Sequence, residues 1–137
     1  MKFHTIYSLE DAYYQKAVEF YNKQLDVDFF EDSTITKRSL QNNKTENDYV
    51  LIVGIEKENI ISLATAHYEA TTNSAFLVHL LAVVDSNYNE IISQTLNEVE
   101  THLNILSNKV HSRDINFLMI EVPKHDNSIL DLSLIHI

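Results

Sequence analysis

The first third of the chain shows two different spacings of apolar residues. The segment FHTIYS, residues 3–8, has the composition of a short strand. Beyond it the apolar residues recur at helical spacing, as Leu9, Tyr13, Ala17, Phe20 and Leu25. Ser8 and Asp11 have the spacing of a reciprocal N-terminal cap. The pattern therefore predicts a strand followed by a helix over residues 9–26.

A second, shorter helix over residues 34–41, capped by Ser33, is predicted next, and three strands follow it. They are residues 49–57, 59–69 and 74–84, with a tight turn near Glu58 and Asn59 and a polar turn at residues 70–73. Their apolar runs are nearly continuous, which is typical of strands covered on both faces.

The last third contains the longest helical pattern, residues 89–107. Its buried stripe is predicted to be Ile92, Leu96, Val99, Leu103 and Leu106. A loop over residues 108–114 and a strand over residues 115–123 follow. This order predicts an α/β fold with a mixed sheet and helices on both faces, in which strands 74–84 and 115–123 run parallel.

Composition narrows the classes of protein that fit. The 137 residues fit one domain over residues 1–137, with neither cysteine ligands nor a signal peptide. No apolar run is long enough to span a membrane, so we expect a cytoplasmic protein with no membrane partner. The net charge of −10 disfavours direct nucleic-acid binding and favours a protein partner with a basic surface, or simply solubility.

The stretch VVDSNYNE, residues 83–90, joins the third of these strands to the long helix. Many proteins bind a phosphate at such a junction, where glycines let the backbone N–H groups approach it. Here there is no glycine, and Asn87 and Glu90 have the spacing of a cap residue and its partner. The spacing predicts a self-capped helix start.

The order of elements resembles that of the GNAT N-acetyltransferase superfamily, most clearly over residues 49–122. Residues 49–84 are similar to its central hairpins, and residues 89–103 to the helix that follows them. The resemblance implies a GNAT-like fold, incomplete at the C-terminus. Only residues 124–137 follow Pro123, where the family has a helix that often carries a tyrosine acid and then two strands.

In that family the turn into this helix binds the pyrophosphate of acetyl-CoA, using a basic residue and two small residues. The resemblance places this cofactor-binding turn at Val83, Val84, Asn89, Glu90, Ile91 and Ile92. Glu90 and Ile92 then stand at the glycine positions, and Asn89 stands where a basic residue is often found. We therefore expect acetyl-CoA to bind weakly or not at all.

Three residues are candidates for catalysis. His79 lies mid-strand and has a suitable pKa for a general base, although a hydrogen-bonded core histidine is the commoner role. Glu69, with His67, lies near a strand end where the family often places an acceptor-activating group, or it is simply solvated. Glu121 is flanked by apolar residues and could deprotonate an amine or face solvent.

The remaining features concern ligands and partners. The seven histidines form no His-x-x-x-His pair, so no metal is expected. The acidic run is a candidate partner-binding segment, or a solvated loop; it consists of Asp26, Asp28, Glu31 and Asp32. The apolar tail, residues 128–137, suggests a homo-oligomer.

The sequence leaves three functions open. The first is an acyl-CoA-dependent N-acyltransferase acting on an amine acceptor. The second, which we favour, is a GNAT-like domain with an impaired acyl-CoA site that acts by binding another protein; a small acidic inhibitor of a nucleic-acid-binding protein is one form of it. The third is an oligomer in which the tail completes a neighbour's sheet.

The tail generates the first testable prediction. Deletion of residues 128–137 should convert an oligomer into a monomer, because exposed apolar residues favour association. Light scattering on the full chain and on the deleted chain measures the two masses. A chain that is monomeric before and after deletion contradicts the prediction.

Overall fold

The computed structural model describes residues 1–25 and 48–120. Within these ranges the strands are β1 (Lys2–Thr5), β2 (Asp48–Glu56), β3 (Asn59–Glu69), β4 (Ser74–Ala82) and β5 (Leu118–Ile120). The helices are α1 (Tyr14–Leu25) and α2 (Tyr88–His111). The Ser33-capped helix, the acidic run, Glu121, the tail and the Leu25 side chain lie outside the described residues.

The strands of the described residues form one sheet in the order β1-β2-β3-β4-β5. The first four strands pair antiparallel, and β5 pairs parallel to β4 through the α2 crossover. The sheet is therefore mixed, and the predicted parallel pairing is confirmed. No helix within the described residues is both long and apolar enough to cross a membrane.

Two hydrophobic cores lie on opposite faces of the sheet, which confirms the predicted helices on both faces. On β2, Leu51 and Val53 pack with α1, whereas Val50 and Ile52 pack with α2. This alternation explains why the strands are apolar at nearly every position. The predicted α2 stripe is buried at Ile92, Leu96, Val99 and Leu103, with Leu106 partly buried at its edge.

The start of α1 differs from the prediction. The helix begins at Tyr14, and Ser8 does not cap it. Instead, the Asp11 carboxylate accepts a hydrogen bond from the Tyr13 N–H at 2.8 Å and contacts His4 Nε2 at 2.6 Å. Because His4 belongs to β1, this contact is a tertiary one. It engages the Asp11 carboxylate, which therefore does not form the predicted cap with Ser8, and the helix begins later than predicted.

Other boundaries differ from the prediction as well: β1 ends at Thr5 rather than at residue 8, and β5 begins at Leu118 rather than at residue 115. The β2–β3 turn is centred on Lys57 and Glu58, which both have positive φ, so it lies one residue earlier than predicted. The third predicted strand ends at Ala82. The helix α2 continues to His111, through residues predicted as loop, and His111 Nε2 lies 2.6 Å from the Ala70 carbonyl oxygen.

A close contact in the sheet explains Gly54. It pairs with Ser62 across β2 and β3, and the buried Ser62 hydroxyl lies 2.8 Å from Thr95 Oγ1 on α2. A Cβ atom at position 54 would collide with Ser62 Oγ. The glycine therefore allows a hydroxyl pair to link the sheet to α2.

Gly54→Ala should destabilise the fold by about 1–3 kcal/mol, the usual cost of overpacking a core. The cost should fall in a Ser62→Ala background, because the colliding oxygen is then gone. Urea unfolding of the two single variants and the double variant measures the coupling. An equal cost of Gly54→Ala in both backgrounds contradicts this explanation.

Candidate functional site

The turn between β4 and α2 carries its own carboxylate. Val83 N–H donates to the Ile61 carbonyl at 2.9 Å, which holds the start of the turn to the sheet. Val84 points outward and is 86% exposed. Asp85 Oδ1 then accepts a hydrogen bond from the Asn87 N–H at 2.8 Å. A carboxylate oxygen of the chain is thus bound to a backbone donor of the turn.

The predicted self-cap of α2 is wrong. The Asn87 side chain makes no capping hydrogen bond, and its backbone, at φ −102° and ψ 13°, is outside the extended region that capping residues usually adopt. Glu90 Oε1 instead accepts a hydrogen bond from Gln94 Nε2 at 3.2 Å, one turn further along. The side chain that bonds a backbone N–H at this junction is Asp85.

The predicted cofactor-binding residues divide into two groups. Ile91 and Ile92 are 8% and 2% exposed and belong to the core between α2 and the sheet. Asn89 and Glu90 are exposed on the first helical turn. Two carboxylates, Asp85 and Glu90, therefore lie where the positive end of the helix dipole would attract an anion. These residues fit a pyrophosphate poorly.

His79 is held on the α1 face of the sheet by two side chains. Its Nδ1 lies 2.7 Å from Thr65 Oγ1, and its Nε2 lies 2.9 Å from the Tyr21 hydroxyl. The Tyr21 ring meets the imidazole edge-on, with centroids 4.7 Å apart. A shift of register between β3 and β4 makes Val78 an extra residue beside His79. Both imidazole nitrogens are thus within hydrogen-bond distance of hydroxyl oxygens of the chain, as in a hydrogen-bonded core histidine.

A second group of side chains lies near the outer end of β3. The His67 and Tyr49 rings meet with centroids 4.8 Å apart. Although the His67 side chain is exposed at the surface, packing against its neighbours removes part of its hydration and lowers its pKa, and the Glu69 carboxylate raises that pKa by a smaller amount. Burial also raises the pKa of the Tyr14 hydroxyl, and the neighbouring Tyr49 adds to that effect.

The structure does not bring all the candidate residues together. Glu69 lies opposite Ser74 at the β3–β4 turn, which is at one end of β4. The β4–α2 turn lies at the other end of that strand. Glu69 lies four positions along β3 from Thr65, the partner of His79, which is roughly 13 Å. Within the described ranges, no group of three or more His, Cys, Asp or Glu side chains could hold a metal ion.

Sequence reasoning missed three residues of this region: Asp85, Tyr21 and Thr65. The sequence contained a local signal for Asp85, because an aspartate side chain in a turn often accepts a hydrogen bond from the backbone N–H two residues later, as in an Asx turn. None existed for Tyr21, which is 58 positions from His79.

Comparison with solved structures identifies the architecture. An aminoglycoside 6'-acetyltransferase of type Ii aligns with a TM-score of 0.62 at 9% identity, over 77% of this chain and 66% of its own. An aminoglycoside acetyltransferase from an uncultured soil metagenomic sample, in complex with sisomicin, aligns at 0.65 and 13% identity, over 92% and 80%. A ribosomal-protein-alanine N-acetyltransferase from Brucella melitensis aligns at 0.54 and 15%, over 90% and 81%.

The chain has a GNAT-like fold. No family profile and no curated protein sequence matches it. At these identities the likeness shows the fold alone. The chain also spans just under two thirds of the type Ii enzyme. The GNAT-like architecture confirms the resemblance inferred from the order of elements.

The pKa of His67 provides a test of the electrostatics in this part of the GNAT-like sheet. Glu69→Gln should lower the pKa of His67 further, because it removes the carboxylate that favours the imidazolium. NMR titration of the His67 ring measures the shift, and Glu56→Gln, at the other end of β2, is the control.

The same substitution should steepen the loss of stability at low pH. The pKa of His67 is lower in the folded chain than in the unfolded chain, where it is about 6.5. Between these two values the unfolded chain binds more protons. The free energy of unfolding therefore falls as the pH drops below about 6.5. Unfolding at several pH values checks this direction. A His67 pKa that stays the same or rises in Glu69→Gln contradicts the assignment.

Proposed function

We propose that this GNAT-like domain has an impaired acyl-CoA site and acts in the cytoplasm by binding another protein rather than by catalysis. The observation that carries the proposal is the 2.8 Å hydrogen bond from the Asn87 N–H to Asp85 Oδ1. A backbone donor of the turn that would face a pyrophosphate is already bound to an anion of the chain.

The cost of that arrangement for a bound phosphate is substantial. A carboxylate about 5 Å from a phosphate repels it by roughly 1 kcal/mol in a fully wet site and by roughly 3 kcal/mol at an effective dielectric constant of 20. Asp85 and Glu90 would both contribute. No lysine or arginine occurs among residues 83–92 to offset them. Even the lower figure, applied twice, weakens binding by more than tenfold.

Net charge supports a basic protein as the partner. The chain carries 20 acidic and 10 basic residues, so a positively charged surface would be attracted over several ångströms. A nucleic-acid-binding protein presents such a surface, and inhibition of one is a specific form of this function. The acidic run from Asp26 to Asp32 stays a candidate contact segment, and association through the tail stays a proposal.

The second candidate is an active acyl-CoA-dependent N-acyltransferase that uses an amine acceptor. His79 supports it: an acceptor amine that displaced the Tyr21 hydroxyl from Nε2 could donate a proton there, while Thr65 holds Nδ1. The names of the structural neighbours also support it. The two candidates differ in whether acetyl-CoA binds.

Calorimetric titration of the full chain with acetyl-CoA tests the proposal. We expect no binding tighter than about millimolar. Asp85→Asn combined with Glu90→Gln should strengthen binding roughly tenfold or more, because it removes both negative charges while retaining side-chain size. Asp114→Asn, in the loop after α2, is the matched control and should change nothing.

Micromolar binding by the unaltered chain would overturn the impairment and restore the acyltransferase as the leading function. If the neutralised variant gains no affinity, the carboxylates are not what weakens the site.

A further inference from the structure

A continuous row of side chains crosses four strands near the β3–β4 turn. The strand registers place Tyr49 opposite His67, His67 opposite Phe76, and Phe76 opposite Met119. Directly opposite residues on neighbouring strands point to the same face of a sheet. We name these four residues the cross-strand row. It lies on the α1 face, because Tyr49 packs against the α1-side core.

The described residues leave the cross-strand row open to solvent. Met119 is 46% exposed, and two other apolar residues, Val78 of β4 and Phe117 just before β5, are 42% and 55% exposed. His67 is exposed as well, and Tyr49 and Phe76 are partly buried. The α2 face is different at the same strands, because Tyr68, Ala75, Leu77 and Leu118 are buried there. The row is an apolar and aromatic strip on an otherwise well-covered sheet.

A carboxylate lies at the rim of this strip. Glu69 is two residues beyond His67 on the same face of β3, and it is exposed. Its negative charge acts on the His67 ring, which is part of the row. Among the described residues Glu69 makes no ion pair. The surface therefore combines an aromatic floor with an acidic edge to which no basic side chain of residues 1–25 or 48–120 is bound.

We propose that the cross-strand row, with Glu69, is the docking surface for a lysine or arginine side chain of a protein partner. This inference rests on the proposed protein-binding function and names the surface that performs it. The methylene stem of a long basic side chain covers apolar surface while its charged head stays at the rim, which suits Phe76 and Met119 as the floor and Glu69 as the anion.

Charge selects this occupant over others. An acidic side chain would be repelled by Glu69, and a purely apolar one would leave that carboxylate facing it without a partner. A basic side chain pairs its charge with Glu69 and packs its methylene groups on Phe76 and Met119. It also agrees with the net charge of −10, which brings basic partners to the chain in the first place.

The surface is separate from the β4–α2 turn. Phe76 lies six positions along β4 from Ala82, the last residue of that strand, which is roughly 20 Å. Binding at the cross-strand row and binding of acetyl-CoA at the turn can therefore be measured independently. A negative result in one of these binding measurements therefore does not change the interpretation of the other.

NMR chemical-shift mapping on the isotope-labelled full chain tests the inference. The probe is an uncharged-terminus pentapeptide with a central lysine, and the matched probe has norleucine in its place. We expect the lysine peptide to shift the signals of Tyr49, His67, Phe76 and Met119. Glu69→Gln should weaken its binding roughly three- to fivefold, whereas Glu56→Gln at the other end of β2 should have no effect.

Three results would overturn the inference: equal affinity for the norleucine peptide, unchanged affinity in Glu69→Gln, or shifts confined to other residues. Shifts confined to the acidic run from Asp26 to Asp32 would reject this surface and support that run as the contact segment. Met119→Ser keeps the charges and reduces the apolar floor, so it should also weaken the lysine peptide if the row is correct. An unchanged amide spectrum elsewhere verifies that each variant is folded.

Discussion

The structure depends on a sheet that must bury both of its faces. Leu51 and Val53 of β2 face one core, and Val50 and Ile52 face the other. Nearly every side chain of the central strands is therefore packed into one of the two cores. A helix has to cover each face, because an uncovered apolar sheet would expose a large patch to water. The crossover helix α2 follows from this requirement.

The same requirement determines the orientation of the β4–α2 turn. Ile91 and Ile92 are anchored in the α2-side core, so the first turn of the helix cannot rotate to present other side chains. Glu90 is left on the outer side. The Asn87 N–H of this turn donates to the Asp85 carboxylate.

Among the described residues, the helices that cover the two faces of the sheet differ in length. The helix α2 has 24 residues and α1 has 12, so their lengths are about 36 Å and about 18 Å. The shorter helix packs over the middle of the sheet, where it supplies Tyr21 to His79. The outer end of the α1 face keeps aromatic and apolar side chains at the surface beside Glu69. His79 and the cross-strand row thus share one face of the sheet.

The sequence by itself determined the central strands, the long helix, the parallel β4–β5 pairing and the GNAT-like order, because hydrophobic periodicity is a local property set by burial on one face or two. It could not determine where α1 begins, since that depends on the contact between Asp11 and His4 of β1. It also predicted the wrong cap for α2, because the spacing of Asn87 and Glu90 allows a capping box that the backbone at Asn87 does not form. The Tyr21–His79 pair joins positions 58 residues apart. Only the tertiary structure decided these features, because each depends on which distant residues the packed sheet brings into contact.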